Sequence, residues 1–383
     1  MVTSVTPDRL ADMQDGDESF VLVDTRDPES YDSWHVAGAG NFPYDGEESI
    51  DDRIEEFEGL VDDADRILTI CAKGISSAAF VEELDRHGYE DVAVVEGGME
   101  AWSRVYEAVP IETDREGLAI VQVQRRAKGC LGYVVADTEA GVAAVIDASR
   151  HAEEFAAVAD DRGWDVAAVL DTHVHADHLS GGRELAASRN VPYYLGERAG
   201  ERGVEYPFEA LGRNEVLEVG DVDVKAVPTP GHTTEGVSYL IDDAAILTGD
   251  TLFVNAVGRT ELEFGDEDAA TGARLLYDSL HRSLMALPDG IRVLPGHASV
   301  TDKGEYEDGR PGRPIGTTIG AVRRGLDVLS LDRDAFVRRF ETNVPAKPPN
   351  YETVIAINRG QRDRPEVAEA TELELGPNRC AAE

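Results

Sequence analysis

Short apolar runs and amphipathic stretches alternate along the N-terminal part of the chain. Residues 20–24, 66–70 and 91–95 are dense in Val, Ile and Leu and read as buried strands. Between them, 50–60 and 76–87 carry helical spacing. Thr6-Pro7-Asp8 predicts a helix start, with a capping hydroxyl, a proline in the first turn and an acid at the positive end of the dipole. This alternation predicts an α/β domain, a parallel sheet flanked by helices. Residues 109–117, with Pro110 and the charged run 112–116, read as a linker. Beyond it the pattern changes. Residues 118–124, 131–136 and 142–147 are apolar runs joined by tight turns and predict antiparallel strands. Residues 151–162 predict an amphipathic helix, and 166–170, 222–227, 245–250 and 291–297 predict further strands. The expected organisation is two domains, 1–113 and 114–383, the second with a C-terminal extension.

Two stretches carry chemistry. Residues 171–178 read Asp-Thr-His-Val-His-Ala-Asp-His and follow a predicted strand. They place His173, His175, Asp177 and His178 on a loop at the strand's carboxyl end, where α/β folds keep their reactive groups. Imidazole and carboxylate are ligands for zinc or iron. Pro-Gly-His turns present His232 and His297, and Asp250 closes another strand. Five of the nine histidines therefore lie on strand-end loops; His35, His87, His151 and His281 fit turn or helix surfaces. The second stretch begins at Cys71, directly after a predicted strand. Ala72, Lys73, Gly74, Ile75 and Ser76 then lead into a helix. Successive N–H groups in such a loop form an anion nest, which lowers the thiol pKa and holds a persulfide or sulfur oxyanion.

The motifs around Cys71 resemble those of the rhodanese family. They are Asp24-Thr25-Arg26, the turn 35–43 (His-Val-Ala-Gly-Ala-Gly-Asn-Phe-Pro) and 96–102 (Glu-Gly-Gly-Met-Glu-Ala-Trp). That resemblance implies that Cys71 is the persulfide-carrying catalytic cysteine. Ser76 stands where many members have an anion-holding arginine. Residues 118–297 resemble the metallo-β-lactamase fold, an αββα sandwich with its metal site at one edge. In that superfamily His173, His175, His232 and a bridging Asp250 match one metal position, and Asp177, His178, His297 and Asp250 the other. Gly258-Arg259-Thr260 and residues 340–348 (Phe-Glu-Thr-Asn-Val-Pro-Ala-Lys-Pro) resemble the persulfide dioxygenase branch. The resemblance implies one Fe(II) per chain on His173, His232 and Asp250. His175, Asp177, His178 and His297 then orient ligands and handle protons, or hold a second metal. Arg259 meets an anionic substrate or forms a structural pair with a carboxylate. The implied reaction oxidises a small-molecule thiol persulfide with O2 to sulfite, and sulfur transfer at Cys71 combines sulfane sulfur with sulfite to give thiosulfate. The alternative is a thioester hydrolase of the glyoxalase II (hydroxyacylglutathione hydrolase) type with two Zn.

Charge narrows the range of partners. The net charge is −40, only five of 36 basic residues are lysine, and 42% of residues are apolar. Acidity spread over a chain with periodic cores is unlike a disordered acidic tail and resembles halophile surfaces. It disfavours nucleic acid and anionic membranes as partners. A homo-oligomer is compatible with the sequence. Three cysteines, Cys71, Cys130 and Cys380, are too few for a disulfide framework. The start lacks a basic and apolar leader, and no apolar run reaches the roughly 18 residues of a membrane helix. The expectation is a soluble cytoplasmic enzyme.

Overall fold

The computed structural model describes residues 3–382 apart from 17, 47–48, 63, 65, 343–346, 375 and 377–380; for 266–268 and 381–382 it describes backbone alone. Cys380 and part of the 340–348 motif lie outside the described residues. The chain divides into two compact units. The first comprises Met1–Val105 with Arg125–Lys128 and Val300–Glu305, and the second comprises the remainder.

In the first unit five strands form one sheet in the order Thr3–Val5, Val92–Val95, Ile67–Ile70, Val21–Asp24, Gly40–Asn41. Every pairing is parallel. The central strands are buried on both faces, which is why they read as continuous apolar runs rather than as alternation. One face packs Leu10, Met13, Trp34, Met99 and Trp102, and the other packs Phe42, Phe57, Phe80 and Leu84. The helix Pro7–Asp15 starts as expected, with the Thr6 hydroxyl accepting from the Arg9 N–H at 3.2 Å.

The second unit stacks two sheets. The seven-stranded sheet runs Glu209–Leu211, Tyr193–Gly196, Asp165–Leu170, Val142–Ile146, Cys130–Asp137, Leu118–Arg125, Tyr106–Ile111. The six-stranded sheet runs Val216–Val219, Val222–Pro228, Val237–Ile241, Ala245–Gly249, Arg292–Pro295, Thr317–Thr318. Residues of both sheets, among them Ile120, Tyr133, Ile146, Leu170, Val224, Tyr239 and Leu247, share one core. The helices Ala152–Asp160 and Gly182–Arg189 cover the outer face of the first sheet. Glu261–Asp278, Ile319–Gly325 and Arg333–Thr342 cover that of the second. The layers are thus αββα. Among the described residues no helix is long and apolar enough to cross a membrane.

The structure departs from the sequence reading at the linker and adds detail at two further segments. The run 109–117 was expected as a linker, yet Val109 and Ile111 belong to the strand Tyr106–Ile111. That strand is at the sheet edge, where Pro110 costs no ladder hydrogen bond. The Gly- and Pro-rich segment 301–317 is a largely exposed loop pinned at its end. Gln122 Nε2 donates to the Ile315 carbonyl at 2.8 Å, its Oε1 accepts from the Ile315 N–H at 3.0 Å, and Ile315 is buried. The tail forms the helix Val367–Leu373, whose Ala370 packs with Leu179, Val354 and Ile357.

Candidate functional site

In the first unit the strand Ile67–Ile70 delivers Cys71 to a tight loop, and Gly74, at φ 77°, starts the helix Ile75–Arg86. The Gly74 N–H donates to Cys71 Sγ at 3.1 Å. Burial alone would push the thiol pKa up. Hydrogen bonds from the Ser76 and Ser77 hydroxyls and from the Ser77 and Lys73 N–H groups outweigh it and hold the thiol below its ordinary value. Ala72, Lys73 and Ile75 are exposed around it, and Lys73 Nζ pairs with Glu100 at 3.2 Å. The glycine pair explains itself here. Gly98 has φ 58°, and a Cβ on it would lie 2.1 Å from the Cys71 carbonyl oxygen and 2.8 Å from the Gly74 nitrogen. The following N–H groups of Met99 and Glu100 donate to the carbonyls of Cys71 and Ala72 at 2.8 and 3.1 Å. Asp24 takes Arg26 in a bidentate pair, and Asn41 donates to the carbonyls of both residues, so those motifs frame the unit rather than its thiol.

In the second unit, loops from both sheets bring the predicted ligands together as buried side chains. His173, His232 and Asp250 form one group of donor atoms mutually within 4.8 Å. His173 Nε2 and His232 Nε2 are 3.7 and 3.8 Å from Asp250 Oδ2, and none of these three atoms has a hydrogen-bond partner. Their other sides are fixed. The Thr172 hydroxyl donates to Asp147, so its oxygen accepts from His173 Nδ1–H at 2.9 Å. His232 Nδ1–H donates to the Arg259 carbonyl at 2.8 Å. Both imidazoles therefore turn a bare Nε2 inward, as a metal ligand must. Asp250 is braced on its other oxygen by His297 Nδ1 at 2.6 Å.

Asp177, His178 and His297 form a second group, and Cys130 joins it. His178 Nδ1 is 3.0 Å and His297 Nε2 is 3.1 Å from Asp177 Oδ2. His175 lies between the two, its ring 4.3 Å from those of His173 and His178, and its donor atoms group with Asp147 and Asp171, its Nε2 3.3 Å from Asp147 Oδ1. Arg259 is fully buried and ion-paired with Glu261, the structural alternative considered for it, and its backbone carbonyl is what serves the site.

Models of two families match the chain: a rhodanese-like domain over residues 6–105, and the metallo-beta-lactamase superfamily over residues 125–297. A hydroxyacylglutathione hydrolase of Rhodospirillum rubrum is 31% identical over 219 residues, covering 56% of this chain and 76% of that protein. The chain belongs to the metallo-beta-lactamase superfamily and carries a rhodanese domain ahead of that fold. A second hydroxyacylglutathione hydrolase, of Rhodopseudomonas palustris, is 33% identical over 44% of this chain; the match spans 63% of that relative's length. Among solved structures, ETHE1 from Myxococcus xanthus is 26% identical with a TM-score of 0.55, covering 63% of this chain and 98% of that one. A metallo-beta-lactamase from Staphylococcus aureus is 25% identical with a TM-score of 0.56, covering 64% of this chain and 73% of that one.

Electrostatics separate the two donor groups of the metallo-beta-lactamase domain. Burial, then the neighbouring His175, hold His173 well below the ordinary imidazole pKa, so it stays a neutral donor. Burial would likewise lower His178 and His297. The carboxylates beside them overcome it, with Cys130 adding to the effect at His178, and hold both well above the ordinary value. The reciprocal effect brings the Cys130 thiol, which burial alone would raise, down to about 6. Asp250 is held below the usual carboxylate range: burial opposes this, and His297, His173 and His232 outweigh it.

Sequence reading missed Cys130, Asp147 and Asp171. Asp147 ends a strand as Asp250 does, so the strand-end rule could have found it; its φ of 54° marks a backbone held under strain beside the site. Also missed were Asn358 and Glu374 in the C-terminal extension. Asn358 Nδ2 donates to the carbonyls of His175 and His178 at 2.9 and 2.8 Å, and Glu374 Oε1 accepts the Leu179 N–H at 2.8 Å. Glu374 also pairs with Arg150 at 2.6 Å. No local signal links residues some 180 positions apart.

Proposed function

We propose that the chain is an iron-dependent persulfide dioxygenase acting with a sulfurtransferase domain in the same chain. The observation that supports it most is the set of His173 Nε2, His232 Nε2 and Asp250 Oδ2, three buried donors without hydrogen-bond partners. Two imidazoles and one carboxylate are the donor set of non-haem Fe(II) oxygenases, which keep open positions for co-substrates. A ferrous ion there would supply O2 activation and a position for the persulfide sulfur. The chain's own residues hold that set ready. Asp147 acts through Thr172 to fix the tautomer of His173, the Arg259 carbonyl fixes that of His232, and His297 steadies Asp250. The overall reaction balances as RSSH + O2 + H2O → RSH + H2SO3. Cys71, its thiolate favoured by the loop, would accept or deliver sulfane sulfur and combine it with sulfite as thiosulfate.

A second reading has support in the relatives' names. A hydroxyacylglutathione hydrolase would fill both donor groups with zinc and attack a thioester carbonyl with a metal-activated hydroxide. The two are separated on anaerobically purified full-length protein. O2 uptake is followed with glutathione persulfide, in parallel with hydrolysis of an acyl-thioester of glutathione and metal analysis. Persulfide-dependent O2 uptake yielding sulfite, with bound iron, is expected. Thioester turnover on a zinc-filled centre with no persulfide-dependent O2 uptake would sink the dioxygenase.

A further inference from the structure

We infer that Glu235 is a positioning residue for the metal centre: with Arg202 and Glu263 it forms a clasp that locks the loop carrying His232 to the loop carrying His173. Glu235 is 3% exposed and lies in the loop that follows His232. Its Oε1 accepts the N–H of Val174, the residue after His173, at 2.9 Å. On the other side of His173 the Val237 N–H donates to the Thr172 carbonyl, also at 2.9 Å. The main chain on both sides of His173 is therefore held by residues 235–237. That segment is itself fixed. Glu263, in the first turn of the helix Glu261–Asp278, accepts from the Thr234 N–H at 2.6 Å and from the Thr234 hydroxyl at 2.5 Å. Arg202 comes from the segment after the strand Tyr193–Gly196, and its side chain is 8% exposed. Its Nε stands 3.7 Å from Glu235 Oε2 and 3.2 Å from Glu263 Oε2. The end of that strand lies against the same loop, since a Cβ on Gly196 would come within 2.3 Å of the Glu235 carbonyl oxygen.

The division of labour follows from what each contact can fix. The Thr172 hydroxyl and the Arg259 carbonyl set which nitrogen each imidazole presents. Neither sets how far apart the two imidazoles stand, because that depends on where their loops run. A carboxylate accepting a main-chain N–H makes a charge-assisted bond with a defined direction, so Glu235 fixes the backbone path at 173–174 relative to the loop of His232. Stability alone is a weak reason for the arrangement. Burying two carboxylates and a guanidinium is costly, and apolar residues of similar volume often stabilise as well or better. The first turn of the helix Glu261–Asp278 serves His232 twice: Glu263 holds Thr234, and Glu261 pairs with Arg259, whose carbonyl takes the imidazole N–H.

The test uses the full-length chain loaded anaerobically with one equivalent of Co(II). Glu235→Ala removes the acceptor of the Val174 N–H. Cobalt should then be held about 10–100-fold less well in a chelator competition, and its visible ligand-field bands should shift. Glu235→Gln keeps an amide oxygen for that N–H and should recover most of the retention and the wild-type spectrum. Arg202→Met leaves the hydrogen bond and loosens only its tether, so a smaller loss in the same direction is expected; it also decides the matter should Glu235→Ala fail to fold. Wild-type retention with an unshifted spectrum in Glu235→Ala, or in Arg202→Met where the first chain does not fold, overturns the inference, because a lowered melting temperature alone is what a purely structural ion pair gives. Equal loss in Glu235→Gln and Glu235→Ala overturns it as well, since the hydrogen bond to Val174 would then not be what matters. The inference rests on the donor set His173, His232 and Asp250, not on the proposed reaction. Weakened retention in these variants of a chain without persulfide-dependent O2 uptake would overturn the dioxygenase alone, and the reverse result would overturn the clasp alone.

Discussion

Around Cys71 the chemistry is held by main chain. The N–H groups of Lys73, Gly74 and Ser77 converge on one sulfur, and the glycine pair exists so that a second strand of backbone can lie against the first. Around Asp250 it is held by side chains, brought from loops that begin at Asp147 and end at His297 and locked by partners at one remove. The first kind of site is compact in sequence and sensitive to any added atom. The second is dispersed, and it is sensitive to the loss of a particular donor and of whatever orients that donor.

The largest effect should come from the dispersed site. His173→Ala or Asp250→Ala each removes one of the three donors of that group, so most bound iron and all persulfide-dependent O2 uptake should be lost. Retention of full iron content in either variant would break the contrast, because the site would not depend on its individual donors. Sulfur transfer from thiosulfate should persist in both.

The mirror experiment concerns the loop. Cys71→Ser should abolish thiosulfate-dependent sulfur transfer and spare O2 uptake. Gly98→Ala should act almost as severely without touching the thiol. Its methyl would sit 2.1 Å from the Cys71 carbonyl oxygen at φ 58°, a left-handed conformation costing about 1–2 kcal/mol for a residue with a Cβ. Transfer should collapse and the first unit should melt lower, measured by calorimetry; wild-type transfer in the Gly98→Ala chain would show that the close backbone approach is unnecessary.

A smaller effect tests whether the dispersed site depends on residues that never touch the metal. Asn358→Ala leaves the carbonyls of His175 and His178 without their amide donor. Iron should then be retained about 10–100-fold less well in a chelator competition, the usual size for an orienting partner. Asn358→Gln, which keeps the amide but misplaces it, should not restore retention. Equal retention in all three forms would mean the loop holds its own shape.

The smallest effect qualifies the main-chain account of Cys71. Ser76 gives the sulfur a hydroxyl donor. Because that donor favours the thiolate, Ser76→Ala should raise the thiol pKa. The acid limb of the transfer rate should move to higher pH, while the rate well above the thiol pKa stays the same. An unmoved profile would leave the loop's N–H groups as sufficient.

The sequence by itself determined the two folds and the candidate ligand positions, because each is written in a local code. Continuous apolar runs in alternation with helices specify a sheet buried on both faces, and strand, cysteine, glycine loop and helix specify the Cys71 cradle. His173, His232 and Asp250 each stand at the end of a strand, and strand ends are legible one at a time. What only tertiary structure decided is which of these groups face one another. It set His175 beside Asp147 and Asp171, sent the guanidinium of Arg259 to Glu261, brought Cys130 to His178 and His297, and laid Asn358 across the histidine loop. The reason is physical. A pairing between side chains distant in sequence is fixed by how two packed sheets and a returning C-terminal helix meet, and no local periodicity encodes that meeting.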